Sequence, residues 1–200
     1  MAQKKFSKDL DFLYEIGSLR HLVRTWTQFV RSDVANISEH LYRVTWIALV
    51  IAKHEKVKNT DKIMKMALVH DISESRTGDA HYLSRQYVDR REELAIDDIL
   101  KDTSIGKEFT ELWKEYEERK SIEAKIVKDA DNIDVDLELN ELPIDERLKS
   151  GFQKIRSQAI KRKFFTKTAE LMWKEIQTSN PHNWHLSGRN RFNAGDWKKK

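Results

Sequence analysis

His70 and Asp71 stand side by side in the run Ala67-Leu-Val-His-Asp-Ile-Ser-Glu74, so one imidazole nitrogen and one carboxylate oxygen are offered to the same small volume. Mixed nitrogen and oxygen ligation suits a divalent transition ion. A catalytic metal needs further protein ligands and an open position, and the neighbouring segments offer candidates. Ile63, Met66 and Ala67 mark an apolar stripe that His70 continues at i+7. Upstream, His40 is followed by Val44, Ile47, Ala48 and Ile51 at i+4, i+7, i+8 and i+11, which places it on a core-facing side. A lone inward histidine is ordinarily a hydrogen-bonded core residue; two on successive helices, one leading directly into an aspartate, point to shared ligation. A further ligand should be an inward carboxylate, and the stretch 124–135 offers Asp129, Asp131 and Asp134. Asp131 shares its face with Ala124, Val127 and Val135, and Asp129 with Ile122, Ile126 and Ile133, so periodicity leaves both open. A carboxylate on an apolar face is costly unless paired or bound to a cation.

These side chains must be carried by helices, because strand-like alternation is scarce and Gly and Pro punctuation is thin. Amphipathic segments are expected at 10–30, 36–53 (capped by Asn36 or Ser38) and 61–75, the last ending before the turn-like Thr77-Gly78-Asp79. Further helices are expected at 84–102, 105–119, 121–141, 144–159 and 161–178, with Gly106 and Pro143 as breaks. Periodicity is lost from Asn180 onward. The expected architecture is all-α: one helical domain over 1–179 and an irregular C-terminal tail over 180–200.

The chain has 200 residues, 35% of them charged and 39% hydrophobic, which suits a helical protein with solvated outer faces. It has no cysteine, which excludes disulfides, thiolate ligands and a cysteine nucleophile. Neither a signal-like apolar run nor a stretch of roughly 20 apolar residues is present, so a cytoplasmic protein without membrane contact is expected. The net charge of +4 comes from 37 basic and 33 acidic residues, mostly interleaved. The concentrated basic runs, Lys161-Arg162-Lys163 and Lys198-Lys199-Lys200, read as solvated surface, and no nucleic-acid partner is expected.

The ordered set His40, His70-Asp71 and Asp131 resembles the HD superfamily of metal-dependent phosphohydrolases, and within it the 5′-deoxynucleotidase branch. The strings that carry the resemblance are Asn36-Ile-Ser-Glu-His40, Ala67 to Glu74 with Thr77-Gly-Asp79, Ala124-Lys-Ile-Val-Lys-Asp-Ala-Asp131, and Arg24-Thr-Trp26. Together they span roughly residues 8–175. The resemblance implies an HD-domain helical bundle in which His40, His70, Asp71 and Asp131 hold one divalent cation (Mn, Co, Fe, Zn or Mg), and so selects Asp131 over Asp129. It assigns Glu74 the general acid/base role. Spacing agrees, since Glu74 is i+4 from His70 and i+3 from Asp71 and shares their pocket if the helix persists. The resemblance also places Asp79, Ala80, His81 and Tyr82 around the substrate sugar and phosphate, and Glu74 and Asp79 at a second cation in some members; a helix N-cap is the plain alternative for Asp79. It sets Trp26 beside the metal and Arg24 toward phosphate, although bacterial members carry their arginine where Thr25 stands here. The implied activity is hydrolysis of (deoxy)nucleoside 5′-monophosphates to nucleoside and phosphate, with a small nucleotide as partner and a homodimer as the common assembly of relatives. The rival readings are hydrolysis of a nucleoside triphosphate, a ppGpp-like nucleotide or another phosphoester, and a non-catalytic helical protein that binds nucleic acid. His182 and His185 lack an accompanying acid and are not read as a metal pair.

Overall fold

The computed structural model describes residues 5–30, 33–143 and 145–188. The helices are α1 (Ser7–Ser18), α2 (Thr27–Val30), α3 (Ile37–His54), α4 (Thr60–Val69), α5 (Glu74–Thr77), α6 (Glu92–Leu100), α7 (Gly106–Glu118), α8 (Ile122–Glu141), α9 (Glu146–Ile160), α10 (Lys167–Ile176) and α11 (Asn183–Leu186), with single 3₁₀ turns at Leu19–His21 and Ser84–Gln86. Among the described residues there is no strand, and extended pairing is limited to one bridge between Val23 and Asn36. No helix among them is long and apolar enough to cross a membrane. The all-α expectation holds.

The centre of the bundle is α8 against α3, flanked by α4, α7 and α10. Helix α3 starts at a capping box, in which the Asn36 side chain accepts from Glu39 N and the Glu39 carboxylate accepts from Asn36 N. It buries Ile37, His40, Leu41, Val44, Ile47, Ala48, Ile51 and Ala52 as one stripe. Helix α8 starts where Ser121 caps Ala124 N. It is buried on most of its circumference, including four acids, Asp129, Asp134, Asp136 and Glu138. Each has a donor on a different neighbour. Asp129 accepts from Phe165 N, Thr166 N and Thr166 Oγ1, which fixes the start of α10. Asp136 accepts from Arg156 on α9, Asp134 from Arg43 on α3, and Glu138 from Ala35 N. The all-round burial explains why no single apolar stripe could be read for this segment.

Four expected elements are broken differently. The helix expected over 10–30 ends at Ser18, and the chain runs extended past Val23 before α2. Leu19 packs in the main core whereas Trp26 and Val30 pack with Val34 and Leu139, and one straight helix cannot reach both clusters. The helix expected over 61–75 stops at Val69 and turns through 70–73 into α5. The helix expected from 84 begins at Glu92, since Tyr87 and Val88 are exposed and supply no apolar face. The helix expected from 161 begins at Lys167, because Thr166 is bound by Asp129 and caps Ala169 N. Gly106 does break the chain as expected: a Cβ there would meet the Leu100 carbonyl oxygen at 2.2 Å. In the tail, α11 gives 183–186 one helical turn, and residues 189–200 lie outside the described residues.

Candidate metal centre

The turn at 70–73 aims two adjacent side chains at α3 and α8. His40 Nε2 lies 3.5 Å from Asp71 Oδ2 and 3.4 Å from Asp131 Oδ1, and His70 Nε2 lies 3.4 Å from Asp71 Oδ2. The ligand atoms of His40, His70 and Asp131 all lie within 4.8 Å of one another. These separations exceed the 2.7–3.2 Å of an N–H···O hydrogen bond. A nitrogen and an oxygen each about 2.1 Å from one cation are roughly 3.0–3.4 Å apart, for octahedral or tetrahedral angles. Both Nε2 atoms are buried with no hydrogen-bond partner, a costly state for a ring nitrogen unless something else binds it.

The other ring nitrogens fix which face the imidazoles present. His70 Nδ1 lies 2.7 Å from the Ala67 carbonyl oxygen, and His40 Nδ1 lies 2.6 Å from Asp134 Oδ2. An N–H donated from each Nδ1 leaves the Nε2 lone pair directed into the cluster. Burial pushes the pKa of His70 down. Burial and Arg24 oppose a charge on His40, but Asp131, Asp134 and Asp71 outweigh them and hold its pKa well above the ordinary 6.5. Burial disfavours the charge on Asp71 and Asp131. For Asp71 the two imidazoles overcome this, and for Asp131 Lys128 and then the imidazoles do, so both stay ionised far into acid. Two neutralisable imidazoles and two firmly ionised carboxylates are the donor set a borderline divalent cation takes.

Asp134 is the support for His40. It is fully buried, ion-paired to Arg43, and 3.3 Å from Arg24 Nη1. Asp134→Asn keeps the shape but removes the charge, and should weaken binding of Mn²⁺ roughly 10- to 100-fold with little change in fold, read by isothermal titration. The cue for its role is its place at i+3 from Asp131, on an adjoining face of α8. Arg90 is a residue of the site that spacing did not reveal. It reaches Glu74 from the irregular segment before α6, donating to Glu74 Oε1 (3.0 Å) and the Gly78 carbonyl (2.9 Å). No pattern in the sequence around 84–91 signals an inward arginine.

Glu74 is 4% exposed, and its Oε2 has no partner. Although α4 does not persist to residue 74, α5 restarts there and returns the carboxyl to the same cavity. That cavity, about 140 Å³, is lined by His70, Asp71, Glu74, Asp79, Arg90 and Asp131 among others. Burial foremost, with the charges of Asp71 and Asp79, pushes the Glu74 pKa up to about 9. Asp79 does not cap a helix: its Oδ2 accepts from Thr25 N (2.6 Å) and Thr25 Oγ1 (3.0 Å), tying the two loops together.

The remaining expected substrate residues divide. Arg24 lines the cavity, but its Nη1 lies 3.3 Å from Asp134 and 3.5 Å from Glu138. Trp26 is buried against Val30, Val34 and Leu139 and does not line the cavity, and neither do Ala80 and His81. His81 is held by Gln28 and by Ser84 N. Tyr82 is 67% exposed and faces a neighbouring groove. Asp129, the alternative ligand, points away from the cluster to residues 165–166.

Comparison with known proteins places the chain in a family. A family model described as HD domain matches residues 16–173. The chain is 36% identical over 138 residues to a Danio rerio protein named 5′-deoxynucleotidase HDDC2, covering 66% of this chain and 68% of that one. It is 37% identical to the Homo sapiens protein of the same name, again over 138 residues, covering 66% and 67%. Among solved structures, the PH0347 protein of Pyrococcus horikoshii OT3 superposes with a TM-score of 0.68 at 28% identity, covering 84% of this chain and 98% of that one. The chain belongs to the HD-domain family.

Proposed function

We propose that this chain is a metal-dependent 5′-nucleotidase, which hydrolyses (deoxy)nucleoside 5′-monophosphates to nucleoside and inorganic phosphate. The observation that carries the reading is the cluster of two unpartnered Nε2 atoms and two ionised carboxylates, of which His70, Asp71 and Asp131 line one cavity together with Glu74, whose Oε2 is also unpartnered. The relatives named 5′-deoxynucleotidases support the substrate class. His40, His70, Asp71 and Asp131 would hold the cation, which when bound supplies Lewis acidity toward phosphate oxygen and toward water.

The protein's own groups do the rest. Arg90 fixes Glu74 Oε1, so Oε2 is the atom left to move a proton. In the reaction a water oxygen bonds to phosphorus and the bond from phosphorus to the 5′-oxygen breaks. Glu74 delivers a proton to the departing oxygen, and the proton that water surrenders restores the carboxyl. Arg90 and Lys128, at the cavity wall, offset the phosphate charge.

The test is phosphate release from a panel of dNMPs and NMPs by protein loaded with Mn²⁺ or Co²⁺. Orthophosphate from monophosphates, with deoxynucleotides preferred, is the expected result. No release from any monophosphate overturns the reading, and pyrophosphate or tripolyphosphate from triphosphates would replace it with the rival one.

A further inference from the structure

The cavity over the cluster, about 140 Å³, is smaller than the roughly 300–1,000 Å³ of ordinary ligand clefts, so a nucleotide with its 5′-phosphate there must extend beyond it. One wall, made of Arg85, Arg119 and Lys128, also lines a second, open groove of about 720 Å³ beside α8 and the end of α9. That groove adds Arg156, Arg162 and Lys163 and, among the described residues, has no acidic residue in its lining. Three of the six cations are already engaged: Lys128 with Asp131 at 2.7 Å, Arg156 with Asp136 at 2.8 Å, and Arg119 with Glu117 at 3.3 Å. Arg162 and Lys163 have no ion pair among the described residues, and Arg85 has none either but donates from Nε to the Ala80 carbonyl oxygen at 2.7 Å. Tyr82 and Phe165, both exposed, supply aromatic faces in the same groove.

A neutral nucleoside leaving group has no use for this field, and the phosphate undergoing reaction lies in the other cavity. Unpaired cations beside exposed rings suit a phosphate joined to a stacking base. Resting on the 5′-nucleotidase reading above, we propose that the groove binds a second phosphate on the 3′ side of the substrate nucleoside. Deoxynucleoside 3′,5′-bisphosphates and short 5′-phosphorylated oligonucleotides are then better substrates than plain monophosphates.

The experiment compares kcat/KM for dAMP, deoxyadenosine 3′,5′-bisphosphate, a 5′-phosphorylated dinucleotide and dATP, in the wild type and in R162E/K163E. Binding of the bisphosphate is measured in parallel by isothermal titration. Both substituted residues are exposed, and the milder R162Q/K163Q pair guards against a folding defect. The expected result is a preference of about tenfold for the bisphosphate and dinucleotide over dAMP at low salt. The double variant should lose it while dAMP turnover stays within about twofold. Equal kcat/KM for dAMP and the bisphosphate overturns the proposal, as does an equal loss on all substrates in the variant. A gain confined to dATP assigns the groove to a 5′-polyphosphate chain and also overturns it. Bisphosphate binding that is lost in the variant, in a protein that hydrolyses no monophosphate, sinks the 5′-nucleotidase reading and leaves the groove assignment standing.

Discussion

Asp71→Ala should lose metal retention and turnover together. Asp71 Oδ2 is 3.5 Å from His40 Nε2 and 3.4 Å from His70 Nε2, so one oxygen of this carboxylate lies against both imidazoles. Removing a supporting residue of a metal ligand costs roughly 10- to 100-fold in affinity, and removing a ligand itself should exceed that. The loss is visible without an activity assay. A ligand that binds only the folded state stabilises it by about 2.7 kcal/mol at a hundred times its dissociation constant. Wild-type protein should therefore melt several degrees higher with Mn²⁺ than with chelator, and Asp71→Ala should show no such difference. Metal per chain, counted by mass spectrometry, gives the same answer independently. A variant that keeps one tightly held ion per chain would place Asp71 outside the ligand set.

The difference between the two histidine segments shows how much of the site was legible in the sequence. His40 and His70 each continue an apolar stripe, and both are buried with ring nitrogens facing one cluster. Periodicity found them because each lies on a helix with one buried face. It could not separate Asp129 from Asp131, because α8 is buried on most sides and each of its acids meets a different neighbour. That choice depends on tertiary partners: two backbone amides for Asp129, and the imidazole of His40 for Asp131. The same limit hid Arg90, which enters from a non-helical segment. It also hid the groove, where Arg162 and Lys163 come from a run that reads as ordinary surface charge. The break at 70–73 is instructive in the opposite sense. The i+4 spacing of Glu74 from His70 brings the two together on a continuous helix; the helix ends at Val69, yet the turn returns Glu74 to the cavity.

Glu74→Gln should abolish turnover while leaving metal bound. Glutamine keeps the volume and can accept the Arg90 hydrogen bond that holds Oε1, but it carries no proton to exchange at the Oε2 position. Loss of a general acid/base costs typically 10²–10⁴-fold, and kcat should fall by about that much with KM little changed. Stability supplies a second readout. The Glu74 pKa is raised from 4.5 to about 9, chiefly by burial. Between those values the folded chain therefore keeps a proton that the unfolded chain has released. Stability then falls as pH rises through that window, and glutamine removes this contribution. In chelator-treated protein the melting temperature of the wild type should decline relative to Glu74→Gln from about pH 5 to pH 9. Taking the difference between the two curves cancels the titration of His40, Asp71 and Asp131, which both proteins share. A cation on the cluster offsets the Asp71 charge that helps raise the Glu74 pKa, so added Mn²⁺ should narrow the gap. A variant that retains turnover assigns the proton transfer to another group. One that loses turnover and metal together makes Glu74 a ligand rather than the acid/base.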